Sequence, residues 1–296
     1  MKPTTSGATA RLYYRLCPVI DTHFHLWRRA DAAQAGILAT PYLQRDVTWD
    51  DFRAAWDGLP VERCVEVQVN DFTDPAPEAR FVSEIAERDR RLGGYVGWAH
   101  LESPRAAADL DALVAFPFVR GVRRTLQIET EPRFALTEGY MRGARLLGER
   151  GLLCELCVRH EQIESVPGLV RACPDTQFVL QHIGKPDLSQ PPNAGWLRTI
   201  EELGEFPNVA CKLSVVVHSD SDPHHRIEAV APFVSHLVDC LGWQRLMFGS
   251  NWPVATAVVG YREWVEMLQV ILAGYGGDHG GLAAVFTENA RRLYKL

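Results

Sequence analysis

The sequence predicts an α/β fold in which eight strand–helix units, met in series, close into a (β/α)8 barrel. Short apolar runs alternate with longer amphipathic ones from end to end, and eight of the short runs qualify as strands. Those runs are rich in Val, Leu, Ile and Cys, the composition of parallel strands buried on both faces. An open doubly wound sheet is the competing topology. No G-x-G-x-x-G or G-x-x-x-x-G-K-[ST] follows any strand, so neither a dinucleotide nor a P-loop site is expected.

In chain order, strands are expected at 19–26, 64–69, 92–99, 119–126, 152–158, 178–182, 209–215 and 246–250. Helices are expected at 76–90, 104–116, 137–150, 161–172, 194–203, 226–240, 261–273 and 282–294. Ser103 before Pro104 reads as an N-cap with proline at the first helical position, and Gly151 as a helix stop. A short helix at 49–56 is capped by Thr48, with Asp51 in its first turn. The connections after strands one and seven are long, and the second contains His-Ser-Asp-Ser-Asp-Pro-His-His from His218 to His225. In a barrel such loops lie at the catalytic face. The whole chain, 1–296, reads as one barrel domain preceded by an extension at 1–17.

Composition narrows the function. Lys and Arg number 31 against 37 Asp and Glu, with no basic segment, which argues against a nucleic-acid partner. The seven cysteines are odd in number and sit in apolar runs, as reduced thiols of a cytoplasmic protein would. Cys154 and Cys157 form a C-x-x-C, but residues three apart on a strand face opposite ways, so a structural role is expected for both. No run near the amino terminus has the character of a secretory leader, and none is long enough to span a membrane. The expected partner is a small-molecule substrate. A homodimer is compatible with the sequence, which does not itself give the oligomeric state.

Asp21-Thr22-His23-Phe24-His25 ends the first strand. On a regular strand residues 21, 23 and 25 share a face, so the two imidazoles can converge on one metal ion or one substrate oxygen in the barrel mouth. His182 ends strand six as a ligand or general base, and Lys185 follows it, able to polarise a carbonyl or pair with a carboxylate. Asn251 projects from the exit of strand eight. Gln68, Asn70, Trp98, His100, Gln127, Ser214 and His218 also fall at strand ends. Trp27, Trp98 and Trp252 could wall a ring-shaped substrate.

Taken together, D-T-H-F-H-L-W, G-V-R-R-T-L-Q, Q-H-I-G-K-P, C-K-L-S and M-F-G-S-N-W-P-V, in this order, resemble the amidohydrolase superfamily. The nearer likeness is to its lactonase-type branch of sugar-lactone and pyrone-dicarboxylate lactone hydrolases, and the motifs run from about Val19 to Tyr294. The resemblance implies a TIM-like barrel and opening of a lactone or related carboxylate-bearing compound by water. It implies active-site roles for His23, His25 and His182, and a substrate-binding role for Arg123 or Arg124. Two departures stand out. Asn251 replaces the usual Asp of strand eight and cannot be a base near neutral pH. Strand four carries arginines where binuclear members have a bridging lysine, which argues against two metals. The expected site is then His182, Asn251 and Arg124 as catalytic residues, with Gln68, Lys185 and Trp252 on the substrate. His23 and His25, with Glu155 as a further ligand, would hold one zinc ion, or no metal is used. A metal-dependent decarboxylase and a non-catalytic binding barrel are the competing readings.

Overall fold

The computed structural model describes residues 17–30, 41–69, 76–217 and 226–296. Its eight strands are β1 (Val19–Phe24), β2 (Val61–Val67), β3 (Leu92–Gly97), β4 (Val119–Val122), β5 (Leu153–Leu156), β6 (Phe178–Leu180), β7 (Val209–Ser214) and β8 (Leu246–Gly249). They pair in sequence order, every pair parallel. Closure is made by the backbone. The Asn251 amide donates to the His23 carbonyl at 2.7 Å, and the His25 amide donates to the Trp252 carbonyl at 2.9 Å. The expected (β/α)8 barrel is therefore observed, and its closing seam runs through the histidine pair.

The helices are α1 (Trp49–Ala55), α2 (Ala76–Arg88), α3 (Ala106–Val114), α4 (Glu138–Glu149), α5 (Val166–Ala172), α6 (Ala194–Gly204), α7 (Ile227–Leu241), α8 (Tyr261–Gly274), α9 (His279–Ala283) and α10 (Asn289–Tyr294). α4 illustrates why they form. Thr137 caps it by accepting from the Tyr140 amide, and Tyr140, Gly143, Ala144 and Leu147 make a buried stripe at helical spacing. Gly143 lets α4 approach the β3–α3 loop, because a Cβ there would lie 2.1 Å from the Leu101 carbonyl oxygen. Thr48 and Asp51 cap α1 reciprocally. Gly151, at φ 63°, turns the chain from α4 toward β5.

Several helix boundaries differ from expectation, among them the start of α5 at Val166 rather than 161. Ser103 and Pro104 lie in a turn before α3, where the Ser103 hydroxyl accepts from the Arg105 amide rather than capping a helix that starts at Pro104. The closing helix is not continuous, because a π-helical turn at Ala284–Glu288 separates α9 from α10.

Apolar side chains fill the lower barrel: Ile20, Val65, Val67, Val96, Leu153, Val179, Ala210 and Met247, with Ala290 and Tyr294 of α10 beneath. All seven cysteines are free thiols, and Cys154 and Cys157 are buried. Among the described residues no helix is long and apolar enough to cross a membrane.

Candidate active site

β1 does not run as a regular strand. Asp21 aligns with Cys64 but Phe24 with Glu66, so three steps on β1 match two on β2. This bulge corrects the expectation that residues 21, 23 and 25 share a face. Phe24 turns outward and stacks on Phe52 of α1, ring centroids 3.9 Å apart. Asp21 also leaves the mouth, toward Tyr261 of α8. One Asp21 oxygen accepts from the amides of His23 and Ser250, both at 3.0 Å, and so staples the bulge to the exit of β8. His23 and His25 are the residues re-aimed inward.

The two imidazoles meet with Nε2 atoms 3.2 Å apart. His25 Nδ1 lies 2.6 Å from the Val67 carbonyl oxygen, which requires a proton on Nδ1 and leaves the Nε2 lone pair free. His23 then carries its proton on Nε2, and its buried Nδ1 has no partner among the described residues. The His182 ring packs 4.4 Å from that of His23. Burial, then the charges of His182 and Lys212, hold His23 well below the usual imidazole range. Burial, then Arg123, takes His25 down to about 3. Burial, then Lys185 and Arg123, lowers His182 as well. The mouth thus holds three neutral imidazoles at pH 7.

His182 is reached by an unusual path. β6 stops at Leu180, and His182, Ile183, Gly184 and Lys185 follow with φ of 51°, 51°, 79° and 49°. Three non-glycine residues in left-handed geometry store strain of roughly 1–3 kcal/mol each. The run aims His182 at the mouth, where Ser214 Oγ contacts both its amide (3.1 Å) and its Nδ1 (2.9 Å). Lys185 Nζ reaches Gln127 Oε1 at 2.5 Å, at the edge of a cavity of about 350 Å³ that Arg159, His160 and Val217 also line. Asn251, at φ 58°, donates from Nδ2 to the Val215 carbonyl at 3.0 Å and faces His25. A neutral amide suits this position, since an ionised carboxylate would set an oxygen against that carbonyl. Gly249 makes room between strands: a Cβ there would lie 2.9 Å from His23 Cβ and 3.0 Å from Ser214 Cβ.

Of the expected site residues, His23, His25, His182 and Asn251 come together, with Gln68 buried nearby and Lys185 at the rim. Gln68 donates to Thr125 Oγ1 at 3.3 Å. Arg124 does not join them. Its guanidinium pairs with Glu102 at 2.9 Å and with Glu129, and lies over the Phe134 ring. Arg123, next along the chain and so facing the other way, enters the mouth instead. It binds the Gln68 carbonyl and Gln181 Oε1, and its Nε–H has no partner among the described residues. Trp252 packs 5.2 Å from Phe52 in the aromatic layer outside the barrel, so its surroundings are those of a core residue rather than a substrate wall. Asn70 and His218 lie outside the described residues. Gln181 and Lys212 were not singled out in the sequence, although both sit inside quoted motifs. Their inward side chains follow from the strand period, Val179 and Ala210 being barrel-core residues two positions earlier.

The donor set meets only part of what a zinc ion requires. Two Nε2 atoms 3.2 Å apart match two corners of a tetrahedron, for which Zn–N bonds of ~2.05 Å place ligands about 3.3 Å apart. No third donor completes it: among the described residues no cluster of three His, Cys, Asp or Glu can hold a metal. Glu155 is fully engaged, one oxygen by Tyr294 and the other by Lys212 and Gln181. Arg123 and Lys212 add positive charge beside the same histidines. The residues present do not fit a resident zinc ion of the usual three or four protein ligands.

A closed barrel with strained turns and neutral imidazoles gathered at the C-terminal ends of its strands is a (β/α)8 protein with its polar site at the face where enzymes of this fold carry theirs. The chain belongs to the amidohydrolase family, whose model matches residues 20–296. An L-fucono-1,5-lactonase of Burkholderia ambifaria is 28% identical over 284 residues, 94% of this chain and 95% of that one. A Burkholderia multivorans amidohydrolase crystallised with bound zinc is 27% identical, with a TM-score of 0.82 over 94% of this chain and 99% of that one. A 2,6-dihydroxybenzoate decarboxylase, 14% identical with a TM-score of 0.63 over 94% and 99%, shares the fold alone.

Proposed function

We propose that this protein hydrolyses a lactone of a sugar acid, using water activated by His182 and no resident metal. The observation that carries the reading is the strained His182–Lys185 turn, which holds a neutral imidazole against His23 in a mouth that also contains Arg123. His182 Nε2 accepts the proton of the attacking water. A depressed pKa keeps this lone pair available at neutral pH, at some cost in basicity. Arg123, with an uncommitted Nε–H, receives the negative charge that builds on the carbonyl oxygen. Asn251 and the histidine pair orient the water, and Lys185 and Gln68 contact the ring substituents. Once the ring C–O bond breaks, the proton held by His182 passes to the leaving alkoxide. Kinship with a curated lactonase over nearly the whole chain supports the ester bond as target. The test is acid release, followed at constant pH, from a panel of 1,5- and 1,4-aldonolactones. Turnover of at least one at kcat/KM of ~10⁴ M⁻¹s⁻¹ or more is expected, and inertness toward all would refute the reading.

A further inference from the structure

The barrel interior contains a charged unit that the proposed chemistry does not use. Glu155 of β5 and Lys212 of β7 are both fully buried and pair at 2.6 Å. Every oxygen of Glu155 is committed. Oε1 accepts from the Tyr294 hydroxyl of α10 at 2.5 Å, and Oε2 accepts from Lys212 Nζ and from Gln181 Nε2, the latter at 2.5 Å. Two arms leave this unit toward the mouth. Lys212 donates to the Thr22 carbonyl at 2.6 Å, one residue before His23. Gln181, with its amide nitrogen drawn to Glu155, must turn its oxygen the other way, where it accepts from Arg123 at 3.4 Å.

A packing role alone does not account for this arrangement. The surrounding barrel positions are Ile, Val, Leu, Ala and Met. A buried ion pair is seldom more stabilising than apolar residues of the same volume. What the pair does uniquely is fix the polarity of Gln181 and the path of β1.

We infer that Glu155 is a positioning residue, held by Lys212 and Tyr294, which aims the Arg123 guanidinium through Gln181. The inference rests on the proposed role of Arg123 as the group receiving carbonyl charge. Gln181→Met cuts the relay while leaving the ion pair and approximate volume in place. Glu155→Gln keeps the shape but removes the charge, and Tyr294→Phe removes a single hydroxyl at the far end.

The experiment has two readouts: the ¹H–¹⁵N resonance of Arg123 Nε–H, assigned by its loss in Arg123→Met, and steady-state kinetics. In Gln181→Met that resonance should move and exchange with solvent at least tenfold faster, with kcat falling 10- to 100-fold and KM changing less than threefold. Tyr294→Phe should give the same signature in weaker form, so the inference stays testable if Gln181→Met does not fold. If the resonance and kcat stay within experimental error of wild type while only Tm falls, the unit is structural and the inference is overturned. If the resonance moves but neither wild type nor variant turns over any lactone, the positioning holds and the lactonase reading fails.

Discussion

Asp21→Asn should stabilise the protein above pH 7 and not near pH 4. The carboxyl of Asp21 is fully buried, and burial raises it to about 6 against 3.8 for a free aspartate. The difference is about 3 kcal/mol of destabilisation once the group is ionised in both states. The sign follows from proton binding. Well below pH 3.8 the group is protonated folded and unfolded, and no penalty exists. The penalty accrues as pH rises from 3.8 to 6 and is constant above. An asparagine keeps the carbonyl oxygen that accepts from the His23 and Ser250 amides, and places an NH2 where the unpartnered Oδ2 now faces Tyr261. Weaker bonds from a neutral acceptor give back about 1 kcal/mol. The net gain is then about 2 kcal/mol at pH 8, or about 3 °C in Tm for a chain of this size. Scanning calorimetry of both proteins at pH 4.5 and pH 8 measures it. An equal loss of Tm at both pH values would refute the reasoning, because a loss independent of pH would show that the buried carboxyl carries no ionisation penalty.

Three further outcomes follow from the site. Arg123→Met should lower kcat about 100-fold, whereas Arg124→Met, which removes the pairs with Glu102 and Glu129 and the bond to the Thr125 carbonyl, should leave kcat within about threefold of wild type and lower Tm. Asn251→Asp should reduce kcat/KM about tenfold, since the Val215 carbonyl loses a donor, worth ~1–3 kcal/mol in a buried site. A gain in rate would mean that a base was missing and that His182 does not serve as one. Dialysis against a chelator should leave both the rate and Tm unchanged, with less than ~0.1 equivalent of zinc found by elemental analysis in active protein. A loss of turnover restored by zinc would overturn the donor-set argument.

Most of the fold was legible because buried parallel strands carry an unmistakable composition. All eight strands were located, and helix ends set by Thr48, Thr137 and Gly151 were legible to within a residue or two. What failed depended on single-residue geometry. Strict alternation put Asp21 beside His23, and only the one-residue bulge, invisible in a period-two pattern, separates them. The same parity problem exchanged Arg123 and Arg124, which sequence alone cannot orient at the frayed end of a strand. Glu155 looked like a metal ligand because it stands on strand five where the resembled family places one, whereas its commitment to Tyr294 depends on a helix 139 residues away in sequence. Trp252 was placed on the substrate because it follows strand eight, whereas its ring packs 5.2 Å from Phe52.

The central claim is that a neutral His182, set by a strained turn, removes the proton of water. It is tested most directly by the pH dependence of kcat/KM for wild type and His182→Asn on the best aldonolactone. Because burial and the neighbouring cations hold His182 well below the ordinary imidazole value, the wild-type profile should stay flat from pH 8 to below pH 6. His182→Asn should fall by about 10³-fold at every pH while keeping its fold by circular dichroism. A variant retaining more than a tenth of the wild-type rate, or a wild-type profile breaking near pH 6.5, would contradict the account.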